Sequence, residues 1–157
     1  MKAKVAVLGV GNPIMTDEGI GVVLVRHLEG QAARFPMVDF LDVGTAGMKL
    51  LHILADYRKV VFVDCAFMQT EPGTLKRFTL EGVSSVKEVP NFSLHEGDLL
   101  QILRKARALE LCPAEVVIFG IEPDRMEPGQ SLTETLQARL DEYAQAVLNE
   151  LNSVACD

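Results

Sequence analysis

Val60-Val61-Phe62-Val63-Asp64 decides the fold class of this 157-residue chain. Four apolar residues, three of them β-branched, run without interruption, as in a strand buried on both faces of a parallel sheet. Asp64 closes the run at the carboxyl edge of that sheet, where open α/β folds place their ligands. Two more polar positions stand in comparable places: Glu18, after Val5-Ala6-Val7-Leu8, and His95, after a long loop. If the three converge, two carboxylates and one imidazole form a donor set that suits a divalent transition metal.

Outward from that strand, the chain alternates. Residues 3–9 and 37–42 read as strands, and 17–29 as a helix with Ile20, Val23, Leu24 and Leu28 on one face and Thr16 as N-cap. A helix over 45–54 carries Met48, Leu51, Ile53 and Leu54. Pro72-Gly73 turns the chain into an edge strand at 74–80, and a long loop fills 81–94. A helix over 96–108 and a strand over 115–121 follow. Ser131-Leu132-Thr133-Glu134 has the form of a capping box, opening a last helix with Leu136, Leu140, Tyr143, Val147 and Leu151 along one face. This order predicts a single domain over residues 1–157, with a mostly parallel, twisted sheet of about five strands covered on both sides.

Composition removes several function classes. Hydrophobic residues make up 48% and charged residues 24%, ordinary for a globular protein. A net charge of −7 with no offsetting basic stripe argues against nucleic acid, since Lys2, Lys4 and Arg104/Lys105/Arg107 are the only basic clusters. No apolar run reaches the length of a membrane span, and no export signal is visible. Three cysteines, Cys65, Cys112 and Cys156, without CxxC spacing fit a reducing cytoplasm and no disulfide framework.

The turn Gly9-Val10-Gly11-Asn12-Pro13-Ile14 lacks the third glycine of a dinucleotide site and the Gly-Lys-Ser/Thr ending of a phosphate loop. Asp17 and Glu18 would also repel a phosphate at the helix N-terminus. They either complement the helix dipole or, ionised there, serve a metal. Gly19 and Gly21 leave room for another chain to approach closely. Asp64 either caps a turn or binds a ligand, and His95 either opens a helix or is a ligand. His27 and His52 fall on helical faces. No Gly-x-Ser-x-Gly elbow or His-Glu-x-x-His helix is present. Cys65 reads as a small hydrophobe at a strand end.

The stretch Gly9-Val10-Gly11-Asn12-Pro13-Ile14-Met15-Thr16-Asp17-Glu18-Gly19-Ile20-Gly21 resembles the N-terminal signature of the hydrogenase maturation endopeptidases. Asp42-Val43-Gly44-Thr45-Ala46-Gly47-Met48, Val63-Asp64-Cys65-Ala66, Ser93-Leu94-His95 and Gly120-Ile121-Glu122-Pro123 resemble later segments of that family in the same order, so the likeness spans nearly the whole chain. It implies a three-layer α/β/α sandwich and a peptidase that removes the C-terminal extension of a nickel-loaded nickel–iron hydrogenase large-subunit precursor. Position by position, it implies Glu18, Asp64 and His95 as metal-contacting residues. Asp42 matches an aspartate the family is thought to need, either as a catalytic general base or to position the chain. Val43 departs from the small residue usual after it. Three donors leave metal positions open, so the implied nickel belongs to the substrate and is not tightly held by the enzyme. Two other readings stay open: another metal-dependent peptidase or amidohydrolase, and a chaperone-like metal-binding module that docks hydrogenase subunits without cutting them.

Overall fold

The computed structural model describes residues 5–45, 47–84, 93–94 and 97–154. Strands β1 (Val5–Val10), β2 (Val38–Gly44), β3 (Lys59–Phe67), β4 (Leu75–Thr79), β5 (Ser93–Leu94) and β6 (Glu115–Ile121) alternate with helices α1 (Ile20–Leu28), α2 (Leu50–Leu54), α3 (Leu80–Ser84), α4 (Gly97–Ala108), α5 (Glu134–Gln137) and α6 (Leu140–Val154). The main sheet has the order β2-β1-β3-β6-β4. Its first four strands are parallel, and β4 runs antiparallel to β6 at the edge. The short β5 pairs antiparallel with the far end of β3, setting Leu94 opposite Ala66.

Successive residues of a strand face opposite sides, and the core divides accordingly. Val5, Val7, Val61 and Val63 pack with Ile20, Leu24 and Leu28 of α1 and Tyr143 and Val147 of α6. Ala6, Leu8, Val60 and Phe62 pack on the other face with Leu50 and Leu54 of α2 and Leu99 and Leu103 of α4. Each large apolar side chain buried this way contributes roughly 2 kcal/mol. Helices on both faces of a mostly parallel sheet make the expected α/β fold.

Several boundaries differ from the expected ones, for identifiable reasons. Residues 16–19 form a 3-10 turn before α1, and Thr16 is not its N-cap. Thr16 has φ of +55°, its amide donates to Gly129 O at 3.0 Å, and its hydroxyl donates to Glu127 O. The hydroxyl is therefore committed to a distant loop. The helix expected over 45–54 is a 3-10 turn at Gly47–Lys49 leading into α2, which leaves Met48 exposed. The stretch 81–94 contains the end of α3 and the strand β5, and 85–92 lie outside the described residues. The capping box expected from Ser131 does not form either, because the helix begins only at Glu134. Thr133 is the N-cap of α5 but makes no side-chain bond to its own helix, because that hydroxyl bonds Asp17. The apolar face expected for the last helix is buried throughout: Leu136, Leu140, Tyr143, Val147 and Leu151.

Strand order locates the site. The chain passes from β1 to β2 on one side, then returns across the sheet to β3 on the other. Ligands of open α/β sheets bind outside the carboxyl ends of strands at such a reversal. Glu18 follows β1, and Asp64 lies near the carboxyl end of β3. Among the described residues, no helix is long and apolar enough to cross a membrane.

Candidate active site

The turn after β1 is built by backbone packing against backbone. A Cβ on Gly21 would collide with the carbonyl oxygens of Val63 and Val10, and one on Gly9 with that of Gly21. The room left by these glycines is thus filled by the protein's own strands, and α1 starts in direct contact with β1 and β3. The 3-10 turn carrying Glu18 packs on β3 in consequence.

Two carboxylates end up buried at this junction, Asp64 fully and Glu18 with 7% of its surface exposed. Cys65 reports their proximity. Burial pushes its thiol far above the usual range, and the charges of Asp64, Asp17, Glu18 and Glu122 push it further in the same direction. Four acids therefore act on one point at the carboxyl edge of β3. A thiol held there in its neutral form is a poor nucleophile, and its Sγ donates to Met126 Sδ at 3.9 Å.

The four acids divide by what their oxygens do. Asp17, which the sequence offers as a helix-dipole acid or a metal donor, turns inward and anchors the segment after β6. It accepts from Asp124 N at 2.9 Å, Arg125 N at 3.1 Å and Thr133 N at 2.8 Å, and from the Thr133 hydroxyl. Glu122 does the same for the segment after β3, accepting from Met68 N at 3.0 Å, Thr70 N at 2.9 Å and the Thr70 hydroxyl. Such charge-assisted bonds are about twice as strong as neutral ones. The chain from 122 to 133 is thus fastened both to the Glu18 turn and to the segment leaving Asp64. The roles of Asp17 and Glu122 were not legible from their neighbours in sequence, since every one of these donors lies more than 50 residues away.

Asp42 sits at the carboxyl edge of β2 opposite Gly9. Its Oδ2 accepts from Arg26 Nη2 at 2.8 Å and its Oδ1 from Gly44 N at 3.1 Å. His95 lies outside the described residues, though Leu94 before it stands opposite Ala66, two residues beyond Asp64. The structure thus brings Glu18 and Asp64 together with Asp17 and Glu122. Among the described residues, no group of three or more His, Cys, Asp and Glu side chains is arranged to hold a metal ion.

Known proteins agree with this architecture. The family model described as "Hydrogenase maturation protease" matches residues 22–150. The chain is 33% identical over 149 residues to the hydrogenase 2 maturation protease of Escherichia coli, covering 94% of this chain and 90% of that one. Its fold is similar to the solved hydrogenase maturating endopeptidase HybD from E. coli, with a TM-score of 0.78 and 30% identity over 96% of this chain and 93% of that one. The hydrogenase maturation protease HybD from Thermococcus kodakarensis shares the fold with a TM-score of 0.80 at 22% identity, over 94% and 99% of the two chains. With a relative this similar along nearly its full length and a family model over most of its residues, the chain belongs to the hydrogenase maturation proteases.

Proposed function

We propose that this peptidase cuts the C-terminal extension from a nickel–iron hydrogenase large-subunit precursor, and that Glu18, Asp64 and His95 engage the nickel already seated in that substrate. One observation carries the reading: two carboxylates, from Glu18 and Asp64, are both buried at the strand reversal, and the charges of both reach the Cys65 thiol. Confining two negative charges in a low-dielectric site is costly, and a divalent cation arriving with the substrate relieves that cost. Asp17 and Glu122 hold backbone amides and so anchor the segments on either side of the site. Oxygen and imidazole donors fit a divalent ion without satisfying it, so the metal is shared with the substrate and holds the tail in place for hydrolysis. Nickel then serves as the sign that metal insertion is complete. The free thiols Cys65 and Cys112 support a cytoplasmic setting for the reaction.

The experiment mixes metal-stripped enzyme with nickel-loaded and nickel-free precursor and follows the large subunit's mass. Only the nickel-loaded form should shorten, and without added metal. Cleavage of the nickel-free form at a comparable rate would show that nickel is not the element recognised.

A further inference from the structure

Between β1 and β2 the register shifts once, with Gly9 opposite Asp42 and Val10 opposite Gly44, so that Val43 is the extra residue. Gly44 takes φ of +51°, a left-handed conformation costly for other residues. The Gly44 amide is held by Asp42 Oδ1, and its carbonyl accepts the Gly11 amide at 3.0 Å. Gly11 in turn lies so close to the backbone carbonyl of Glu18 that it has no room for a side chain. On its other oxygen, Asp42 takes the guanidinium of Arg26, from the helix that Glu18 leads into. A continuous chain of contacts therefore runs from α1 through Arg26, Asp42, Gly44 and Gly11 to Glu18. Arg26 is 58% exposed and the Asp42 side chain 29%, so the ion pair is screened by solvent and adds little to global stability. Its effect is geometric.

We propose that Arg26 and Asp42 are positioning residues, a brace that sets the Glu18 turn through Gly44 and Gly11, and that Asp42 removes no proton in the reaction. This rests on the peptidase reading above. It also accounts for Val43, because a bulged residue between Asp42 and Gly44 takes no part in the chain of contacts.

The test uses the full chain with Asp42→Asn, Asp42→Ala and Arg26→Leu. Cleavage of nickel-loaded precursor is read as kcat and KM, and amide hydrogen exchange is followed at Gly11 and Gly44. Asparagine keeps the oxygen that holds the Gly44 amide, so Asp42→Asn should cleave within about 3-fold of wild type, the range of an exposed substitution. Arg26→Leu should cleave in the same range but exchange faster than wild type at Gly44, and wild-type exchange there would take Arg26 out of the brace. Asp42→Ala should lose about 10- to 100-fold in kcat, the scale of a displaced group, with faster exchange at Gly11 and Gly44. A loss of about 100-fold or more in Asp42→Asn with unchanged exchange would overturn the brace in favour of a general base. Wild-type exchange in Asp42→Ala would overturn it too. If wild type cleaves no precursor, the peptidase reading fails, whereas the exchange comparison still decides the brace.

Discussion

Asp64 is a carboxylate with none of its surface exposed, on a strand whose flanking residues Val60–Val63, Cys65 and Ala66 belong to the apolar core. Such a group is normally a liability, because desolvation opposes its charge. Replacing it with asparagine, or Glu18 with glutamine, removes one charge from a crowded acidic site and leaves volume unchanged. Both variants should melt within a few degrees of wild type and lose processing by about 100-fold or more, the scale on which a missing charge-stabilising group is felt. Thermal melts paired with a precursor-cleavage assay check this, and near-normal processing by either variant removes that residue from the site. Cys65 is the opposite case. Buried and held neutral by the same acids, it should not react with thiol-directed reagents in the folded protein. Cys65→Ala should process precursor at close to the wild-type rate, with a stability loss of roughly 1 kcal/mol from the small cavity. Loss of activity in a well-folded Cys65→Ala protein would restore a covalent mechanism to contention.

At the scale of elements, the segment from Glu122 to Thr133 has little regular structure of its own and depends on two carboxylates for its path. Asp17 meets three backbone amides and one hydroxyl, and the Thr133 amide and hydroxyl among them are buried. Asp17→Ala should therefore cost about 2–4 kcal/mol, and Thr133→Val about 1–2 kcal/mol, read as urea midpoints. Hydrogen exchange should also quicken at Asp124, Arg125 and Thr133, sooner than in the sheet. An Asp17→Ala protein with wild-type stability and unchanged exchange would show that the segment is held by its apolar contacts instead. The same bonds explain why Thr16 and Thr133 do not serve the helices they precede. A hydroxyl with a fixed long-range acceptor is not available to cap.

The whole molecule is also tied together at the opposite, amino edge of the sheet. Lys59 at the start of β3 is 3% exposed and meets Glu150 of α6 at 2.8 Å and Glu115 at 3.2 Å. Arg77 of β4 forks onto both oxygens of Glu150 at 2.9 Å. The hydrogen bonds from Arg77 chiefly, and the one from Lys59, hold the Glu150 carboxyl down at about 2. Because the folded value lies below the unfolded one of about 4.3, the stabilisation is complete above that pH and is lost as pH falls toward 2. It amounts to at most about 3 kcal/mol on this shift. Urea midpoints measured from pH 6 to pH 2 should fall through that window in wild type and fall less in Glu150→Gln. An identical decline in both proteins would remove Glu150 from the acid response.

The apolar runs, with period two in strands and 3.6 in helices, were enough by themselves to determine the α/β class and the buried faces of α1 and α6, whereas the strand expected to close at Asp64 runs on to Phe67. These are local signals, since burial imposes them on neighbouring residues. The first motif also marked the family, because glycines at 9, 11, 19 and 21 answer to backbone packing that few other sequences tolerate. Tertiary structure alone decided what the acids do. Asp17 and Glu18 are adjacent and look equivalent, yet Asp17 anchors a segment over 100 residues away, a bond that the sequence does not foreshadow. Asp42's attachment to Arg26 likewise depends on where α1 lies against β2. Which of two neighbouring carboxylates anchors a distant strap is set by donors brought close through folding, and no spacing along the chain records them.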